Sequence, residues 1–349
     1  MLGGPMKLVV TIPAQNEAAT IGRVVREIPQ RIEGVDEIEI LVVDDASTDA
    51  TAAEATAAGA IVVPMVGRPG LGPVWRLGME RAIRRGADLI VNLDGDGQFE
   101  SKDVAAIVAP LLAGECDFVA CTRFGAGGPV GYMPPIKRWG NATVTWLTNT
   151  ICDTDFTDVS CGFRAYNRES AYRLLQFGRW TYTEECIVYL VSRGVRIKQM
   201  PFKVLGERQH GQSRVASNVV YFASHLVHIL IRAIRDGRPL RFFGALASIA
   251  LVPGVLVLAF LSLWWLVNGT LRPFSQLLTV GGALAIIGGL LVVLALLADM
   301  LSRHRLIHEE LLYLARARYY GGRRDEPDQS HRPVLADDGN TALVSVFGD

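Results

Sequence analysis

An α/β domain built on a mainly parallel sheet, followed by two transmembrane helices, is the architecture this sequence predicts. Three observations carry that reading. Strand-like and helix-like runs alternate through residues 7–205. Acidic and polar clusters fall at the ends of the strand-like runs. Two long stretches without a charge lie in the C-terminal third.

The strand-like runs are 7–12, 38–44, 60–65, 88–93 and 117–122, and helical patterns occupy 17–28, 48–58, 74–85 and 103–112. Strands that alternate with helices imply crossovers, hence a sheet with parallel strands and both faces covered. In such sheets ligands bind beyond the carboxyl ends of the strands. Asn16 and Glu17 follow the first run, Asp44 and Asp45 end the second, and Asp94-Gly95-Asp96 follows the fourth. The stretch 217–236 then places Val219, Phe222, Leu226, Ile229, Leu230 and Ala233 at helical spacing, with His225, His228, Arg232 and Arg235 elsewhere on the wheel. Ahead of a membrane span this pattern predicts an amphipathic helix lying in the interface.

Residues 242–267 and 273–298 each run for 26 residues without a charge. About 20 apolar residues cross the hydrocarbon core, so both stretches are read as transmembrane helices, at 242–267 and 275–298. Arg232, Arg235, Arg238 and Arg241 precede the pair, and Arg303, Arg305, Arg316, Arg318, Arg323 and Arg324 follow it, while the connector carries only Arg272. The positive-inside rule puts both termini in the cytoplasm, at an inner or plasma membrane. The N-terminus enters its first strand without the features of a signal peptide. The expected division is 1–215 for the α/β domain, 216–240 for the interfacial helix, 241–299 for the two spans, and 300–349 for a cytoplasmic helix and a disordered tail. Gly281, Ala285 and Gly289 recur every four residues. Small residues at that spacing let helices approach closely, which predicts either a homo-oligomer through the spans or packing against the first span of the same chain.

Composition narrows the function. The 349 residues hold 35 Lys+Arg and 35 Asp+Glu, a net charge of zero. A nucleic-acid binder usually carries a basic excess, so no nucleic-acid partner is expected. Half the chain is hydrophobic, which excludes a disordered protein. The 5 Cys are odd in number and lack C-x-x-C spacing, against a disulfide framework or a zinc site.

Asp94-Gly95-Asp96-Gly97-Gln98 is the sharpest local feature. Two carboxylates two residues apart at a strand end can share a divalent cation, and Gln98 adds a neutral oxygen. Oxygen-only ligation suits Mg2+ or Mn2+, completed by substrate phosphates and water. Asp and Gly are also turn residues, so an ordinary turn is the plain alternative. A calcium EF-hand loop fails, with Phe99 at its glycine position and Ala105 at its final glutamate. No P-loop is present and no G-x-G-x-x-G opens the first helix, which disfavours P-loop and nicotinamide chemistry.

Together, Ile12-Pro13-Ala14-Gln15-Asn16-Glu17, the run from Val42 through Asp44 and Asp45 to Asp49, and Asp94-Gly95-Asp96-Gly97-Gln98 resemble family 2 glycosyltransferases of the GT-A fold. The likeness spans about 200 residues. The run from Asp158 to Gly162-Phe163-Arg164, Glu185, Met200-Pro201, the segment Arg208 to Arg214, and Arg68-Pro69-Gly70-Leu71-Gly72 resemble a narrower group. That group is the dolichol-phosphate mannose synthases and bacterial polyprenyl-phosphate (undecaprenyl-phosphate) glycosyltransferases.

The resemblance implies roles. Pro13, Gln15 and Glu17 would touch base and ribose. Asp44 would bind the base edge, with Asp45 beside it in the nucleotide-sugar site. Tyr is common in the family where this chain has Gln15. Asp94, Asp96 and Gln98 would hold Mg2+ or Mn2+ and the diphosphate. Arg123, Arg138, Arg208, Ser213 and Arg214 would bind an acceptor phosphate. Asp96, Asp158, Glu185 and Arg208 form the expected catalytic set. The implied reaction is inverting transfer of a hexose from GDP-mannose or a UDP-hexose to polyprenyl or dolichyl phosphate on the cytoplasmic face of the bilayer. Two rival readings stand beside it. The run Gln176 to Arg179-Trp180 fits the Q-x-x-R-W pattern of processive polysaccharide synthases, although two spans are too few to enclose a polymer channel. A non-catalytic membrane-anchored scaffold is the other, against which the intact carboxylate pair speaks.

Overall fold

The computed structural model describes residues 5–65, 70–125, 128–129, 135–174, 182–205 and 239–321. The expected interfacial helix at 216–240, nearly all of it, and the tail from 322 onward lie outside the described residues.

The apolar run after Lys7 forms β1 (Lys7–Ala14), which sits inside a seven-stranded sheet. Successive side chains of β1 point to opposite faces, and both faces are buried. Leu8, Val10 and Ile12 join one core, and Val9 joins the other. That is why the strand reads as a continuous hydrophobic run and not as an alternating one. Each such side chain contributes roughly 1.5–3 kcal/mol by leaving water.

The following elements are α1 (Ile21–Arg26), β2 (Glu37–Asp44), α2 (Thr51–Ala57), β3 (Ile61–Pro64), α3 (Leu71–Arg84), β4 (Leu89–Asn92), α4 (Val104–Leu112) and β5 (Phe118–Thr122). All five expected strands and four expected helices are present in this order. The first helix is shorter than the expected 17–28. Asn16 takes φ +55°, and the Ala18 amide donates to Asp49, so residues before Thr20 are drawn into a loop.

Beyond β5 come the short β6 (Phe124–Gly125) and β7 (Gly128–Pro129), then α5 (Pro135–Cys152), β8 (Arg164–Asn167), α6 (Arg168–Arg173), α7 (Thr183–Ser192) and β9 (Ile197–Pro201). The sheet order is β3-β2-β1-β4-β8-β5-β9. Strands β1 to β4 are mutually parallel, β8 runs antiparallel between β4 and β5, and β9 pairs parallel with β5. This inversion matters for the site. The start of β8 lies on the same edge as the ends of β1, β2, β4 and β5.

Two long helices follow, α8 (Pro239–Asn268) and α9 (Ser275–Gly321). Both are long and apolar enough to cross a membrane, and their exposed surface is rich in Leu, Ile and Val. They pack closely. A Cβ on Gly254 would stand 2.5 Å from the Ala285 amide nitrogen, one on Gly281 2.6 Å from Val257, and one on Gly288 2.6 Å from Leu251. Gly281 and Ala285 thus face α8 of the same chain, whereas a Cβ on Gly289 would meet nothing within 4 Å.

Helix α9 does not stop where its apolar stretch ends. It continues unbroken through the charged residues to Gly321 and docks on the α/β domain. Arg316 donates to the carbonyls of Tyr172 (3.1 Å) and Leu174 (2.9 Å). The Arg173 guanidinium lies 4.2 Å from the centre of the Tyr313 ring. Glu309 is buried against the domain, where it pairs with Arg193 of α7 and accepts from Tyr189 at 3.2 Å. Charge in this segment therefore serves a tertiary contact.

Candidate active site

The carboxyl edge of the sheet gathers residues from five strands. Beyond β1, Gln15 donates through Nε2 to the Asp45 carbonyl at 2.5 Å, and the Asn16 amide donates to Ser47 at 3.0 Å. Glu17 is buried, its amide donating to Thr51 at 2.8 Å. These bonds stitch the loop after β1 to the loop after β2. Gln15 Oε1 is buried without a hydrogen-bond partner, an acceptor that a bound nucleoside could satisfy. Asp44 accepts from the Ser47 amide (3.2 Å), and Asp45 accepts from the Gly70 amide (3.3 Å) just before α3.

After β4 comes the acidic pair. Asp94 and Asp96 are half-buried, and Gly95 and Gly97 between and after them are buried. The turn is anchored by Thr20, whose hydroxyl donates to the Gly95 carbonyl at 2.8 Å. Gly97 takes φ +69°, a conformation glycine adopts without strain. The Gln98 amide donates to Asp96 at 3.0 Å, and the Gln98 carbonyl accepts from Leu205.

Arg123, directly after β5, grips Asp158 with two parallel bonds, Nε to Oδ2 at 2.7 Å and Nη2 to Oδ1 at 3.0 Å. Asp158 is buried, and its backbone carbonyl accepts from Gln199 of β9 at 2.6 Å. Burial alone would weaken the hold of Arg123 on its proton; the bonds and charge of Asp158 reverse that and raise its pKa. Arg123 also donates to Ser160, whose hydroxyl donates in turn to Asn141 of α5. Arg138 lies three residues before Asn141 on α5 and is exposed.

The structure thus brings Gln15, Glu17, Asp44, Asp45, Asp94, Asp96, Gln98, Arg123 and Asp158 to one edge. Glu185 stands half-buried in the first turn of α7, beside the buried Glu184. Arg208, Ser213 and Arg214 lie outside the described residues, as do Arg68 and the run 176–180.

Residues 9–175 match the model of glycosyl transferase family 2. They form a family 2 glycosyltransferase domain. The chain is 28% identical over 303 residues to glycosyltransferase AglJ of Haloferax volcanii, covering 86% of this chain and 96% of that one. It is 29% identical over 173 residues to polyprenol monophosphomannose synthase of Mycolicibacterium smegmatis, covering 47% of this chain and 62% of that one. A third relative is dodecaprenyl-phosphate galacturonate synthase of Rhizobium johnstonii, 24% identical over 85% of this chain and 88% of that one. Among solved structures, glucosyl-3-phosphoglycerate synthase of Mycobacterium tuberculosis in complex with UDP is similar. Its TM-score is 0.52 at 25% identity, covering 65% of this chain and 80% of that one. The domain has the GT-A architecture.

The glycosyltransferase domain also uses residues that sequence reasoning left without a role. Arg164 is fully buried and faces no carboxylate among its hydrogen bonds. It donates to the carbonyls of Cys161 (2.7 Å), Val159 (2.9 Å) and Thr183 (2.7 Å). One side chain thereby ties the segment carrying Asp158 to the start of the helix carrying Glu185. Tyr182 and Asn92 are the others. The signal available in the sequence was a charged residue inside a short run, Arg164-Ala165-Tyr166, that also pairs as a strand.

Among the described residues, no three His, Cys, Asp or Glu side chains cluster as a self-sufficient metal site. The donor set still fits a hard cation held jointly with a ligand. Two carboxylates and an amide oxygen on one turn match how Mg2+ is bound, through one or two carboxylates plus substrate phosphates and water. All 5 cysteines are free, and 4 of them are buried.

Proposed function

We propose that this glycosyltransferase moves a hexose, with inversion, from a nucleotide sugar such as GDP-mannose or a UDP-hexose to polyprenyl or dolichyl phosphate. The single observation that carries the reading is the sheet edge itself. An acidic pair after β4 and a guanidinium after β5 share one rim, in a domain joined to an apolar helical hairpin. The relatives named as polyprenol monophosphomannose and dodecaprenyl-phosphate galacturonate synthases support the same acceptor class.

In this scheme Gln15, Glu17, Asp44 and Asp45, with Pro13, cradle the nucleoside, and Asp94, Asp96 and Gln98 hold the diphosphate with Mg2+ or Mn2+. A cation held by these residues would supply Lewis-acid stabilisation of the charge on the leaving diphosphate. An oxygen of the acceptor phosphate attacks the anomeric carbon. The bond from that carbon to the diphosphate breaks, and its electron pair leaves with the nucleoside diphosphate. A phosphate monoester has a second pKa of about 6, so at neutral pH the nucleophile is already largely a dianion. Little is then required of a general base. Cations that bring two anions together matter more, which is the role of Arg123 and Arg138 here, completed by Arg208, Ser213 and Arg214. Asp158 orients Arg123, and Glu185 stays near the acceptor.

The hairpin supports a cytoplasmic site. α8 and α9 cross in opposite directions, so α9 returns to the side where the domain sits, and its Arg-rich end obeys the positive-inside rule. The deciding experiment measures nucleoside diphosphate release with and without polyprenyl phosphate. Release that depends on the lipid supports the proposal. A long polymer points to a processive synthase, and silence with every donor to a scaffold.

A further inference from the structure

We propose that Tyr182, Gly162 and Asn92 form a seat that fixes the Asp94 carboxylate, which makes Tyr182 and Gly162 positioning residues for the first member of the acidic pair. The proposal rests on the reading of Asp94 as a ligand of metal and diphosphate.

Three segments meet at the seat. β4 ends on Asn92, the strand β8 is entered through Gly162, and Tyr182 immediately precedes α7. Asn92 is fully buried, and its Nδ2 donates to the Gly162 carbonyl at 2.9 Å and to the Tyr182 hydroxyl oxygen at 2.7 Å. A Cβ on Gly162 would stand 2.9 Å from both Asp94 carboxylate oxygens and 3.2 Å from the Tyr182 hydroxyl. The carboxylate and the hydroxyl therefore approach one side-chain-free point from two sides. Because the hydroxyl oxygen accepts from Asn92, its proton remains for another acceptor, and Asp94 is the carboxylate beside it. The ring cannot swing away. Tyr182 is buried and stacks on Trp75, with centroids 4.7 Å apart and planes 12° apart.

The physical value of such a seat is orientation. A carboxylate held in one rotamer does not lose that freedom when it captures a cation, and partners behind a metal ligand typically govern 10- to 100-fold in metal affinity. Gly162 contributes by absence. A side chain there meets a short carboxylate and not the far end of a flexible chain, so Asp94 must turn.

The test uses the full chain in detergent and calorimetric titration of UDP, and separately GDP, with and without Mn2+. Tyr182→Phe keeps the ring and its stacking and removes only the hydroxyl. It is expected to weaken Mn2+-dependent nucleotide binding roughly tenfold while metal-free nucleotide binding stays close to wild type. The melting temperature should fall, since one buried Asn92 N–H loses its acceptor, and the protein should still fold. Gly162→Ala is expected to weaken it further. Asp94→Asn is the control and should remove the Mn2+ dependence. If Asp94→Asn acts so and Tyr182→Phe binds like wild type, the seat is overturned while the metal reading stands, whatever Gly162→Ala does. If Asp94→Asn itself binds like wild type, the metal reading fails and the seat falls with it.

Discussion

Arg123 and Asp158, 35 residues apart in sequence, are joined by a bidentate ion pair whose carboxylate is fully buried. The pair couples the end of β5 to the loop that enters β8. Removing the cation leaves an uncompensated buried charge. Arg123→Ala is therefore expected to cost about 3–5 kcal/mol of stability, read as a lower melting temperature in detergent, along with loss of transfer. Arg123→Lys keeps the charge but not the two parallel bonds, and should fall between the two. An Arg123→Ala protein as stable as wild type would contradict the structural half of the pair's role.

Asp96→Asn is expected to abolish sugar transfer while leaving the melting temperature within a few degrees of wild type, since Asp96 is half-buried on a turn. Excess EDTA should act likewise on the unaltered protein, and Mg2+ or Mn2+ should restore turnover. Full activity in EDTA would remove the cation from the account.

The contact between α9 and α7 makes a different prediction. Glu309 pairs with Arg193 and Arg305, and Arg316 binds two carbonyls around α6. From Ala298, where the apolar stretch ends, to Glu309 is about 16 Å of helix at 1.5 Å per residue. With α8 and α9 in a bilayer, as proposed, a rod of that kind would hold the domain at a set height above it. Glu309→Ala combined with Arg316→Ala should lower transfer to a long-chain polyprenyl phosphate in liposomes, with nucleotide binding in detergent unchanged. Equal losses in both measurements would mean the contact only supports folding.

Within the hairpin, Gly254→Val should be severely disruptive, because its Cβ would overlap the backbone of Ala285. Lower yield in the membrane fraction and earlier melting would report it. Gly289→Leu should leave the hairpin intact, since that position opens away from α8. Native mass spectrometry of Gly289→Leu then asks whether that outer face joins two copies. A smaller assembly than wild type shows that it does, and an unchanged mass removes this face from any oligomer.

Acid should weaken the domain partly through Glu39. Its burial raises its pKa, but hydrogen bonds from Arg85 and Lys7 and their charges outweigh that, and the net direction is down. A carboxylate with a lowered folded pKa stabilises above its unfolded value, about 4.3, and the contribution is lost as pH falls through the folded pKa. Glu39→Gln should therefore lower the melting temperature at pH 7 and shrink the difference from wild type at pH 3.

Much of this was legible in the sequence, for a physical reason. Strands β1, β2 and β4 are buried on both faces, so they appear as apolar runs ended by acidic turns, and those turns are the rim of the site. Strand β8 was not legible. It is only four residues long, contains the buried Arg164, and owes its place to pairing with β4 and β5. Its antiparallel direction is what brings Gly162 to Asp94, so the proposed seat follows only from the topology. After the second span the sequence predicts a cytoplasmic helix but not what it touches, because partners distant in sequence leave no local pattern. In the fold, Glu309 and Arg316 meet partners more than 100 residues away.

The proposed acceptor is a lipid phosphate. The most direct measurement incubates the purified full chain with labelled nucleotide sugars, Mg2+ and polyprenyl phosphate, then extracts the lipid for mass spectrometry. One hexose added per lipid phosphate is expected, with an anomeric configuration opposite to that of the donor and no product from the corresponding polyprenol. A labelled product that forms equally on the polyprenol, or only in the aqueous phase, would contradict it.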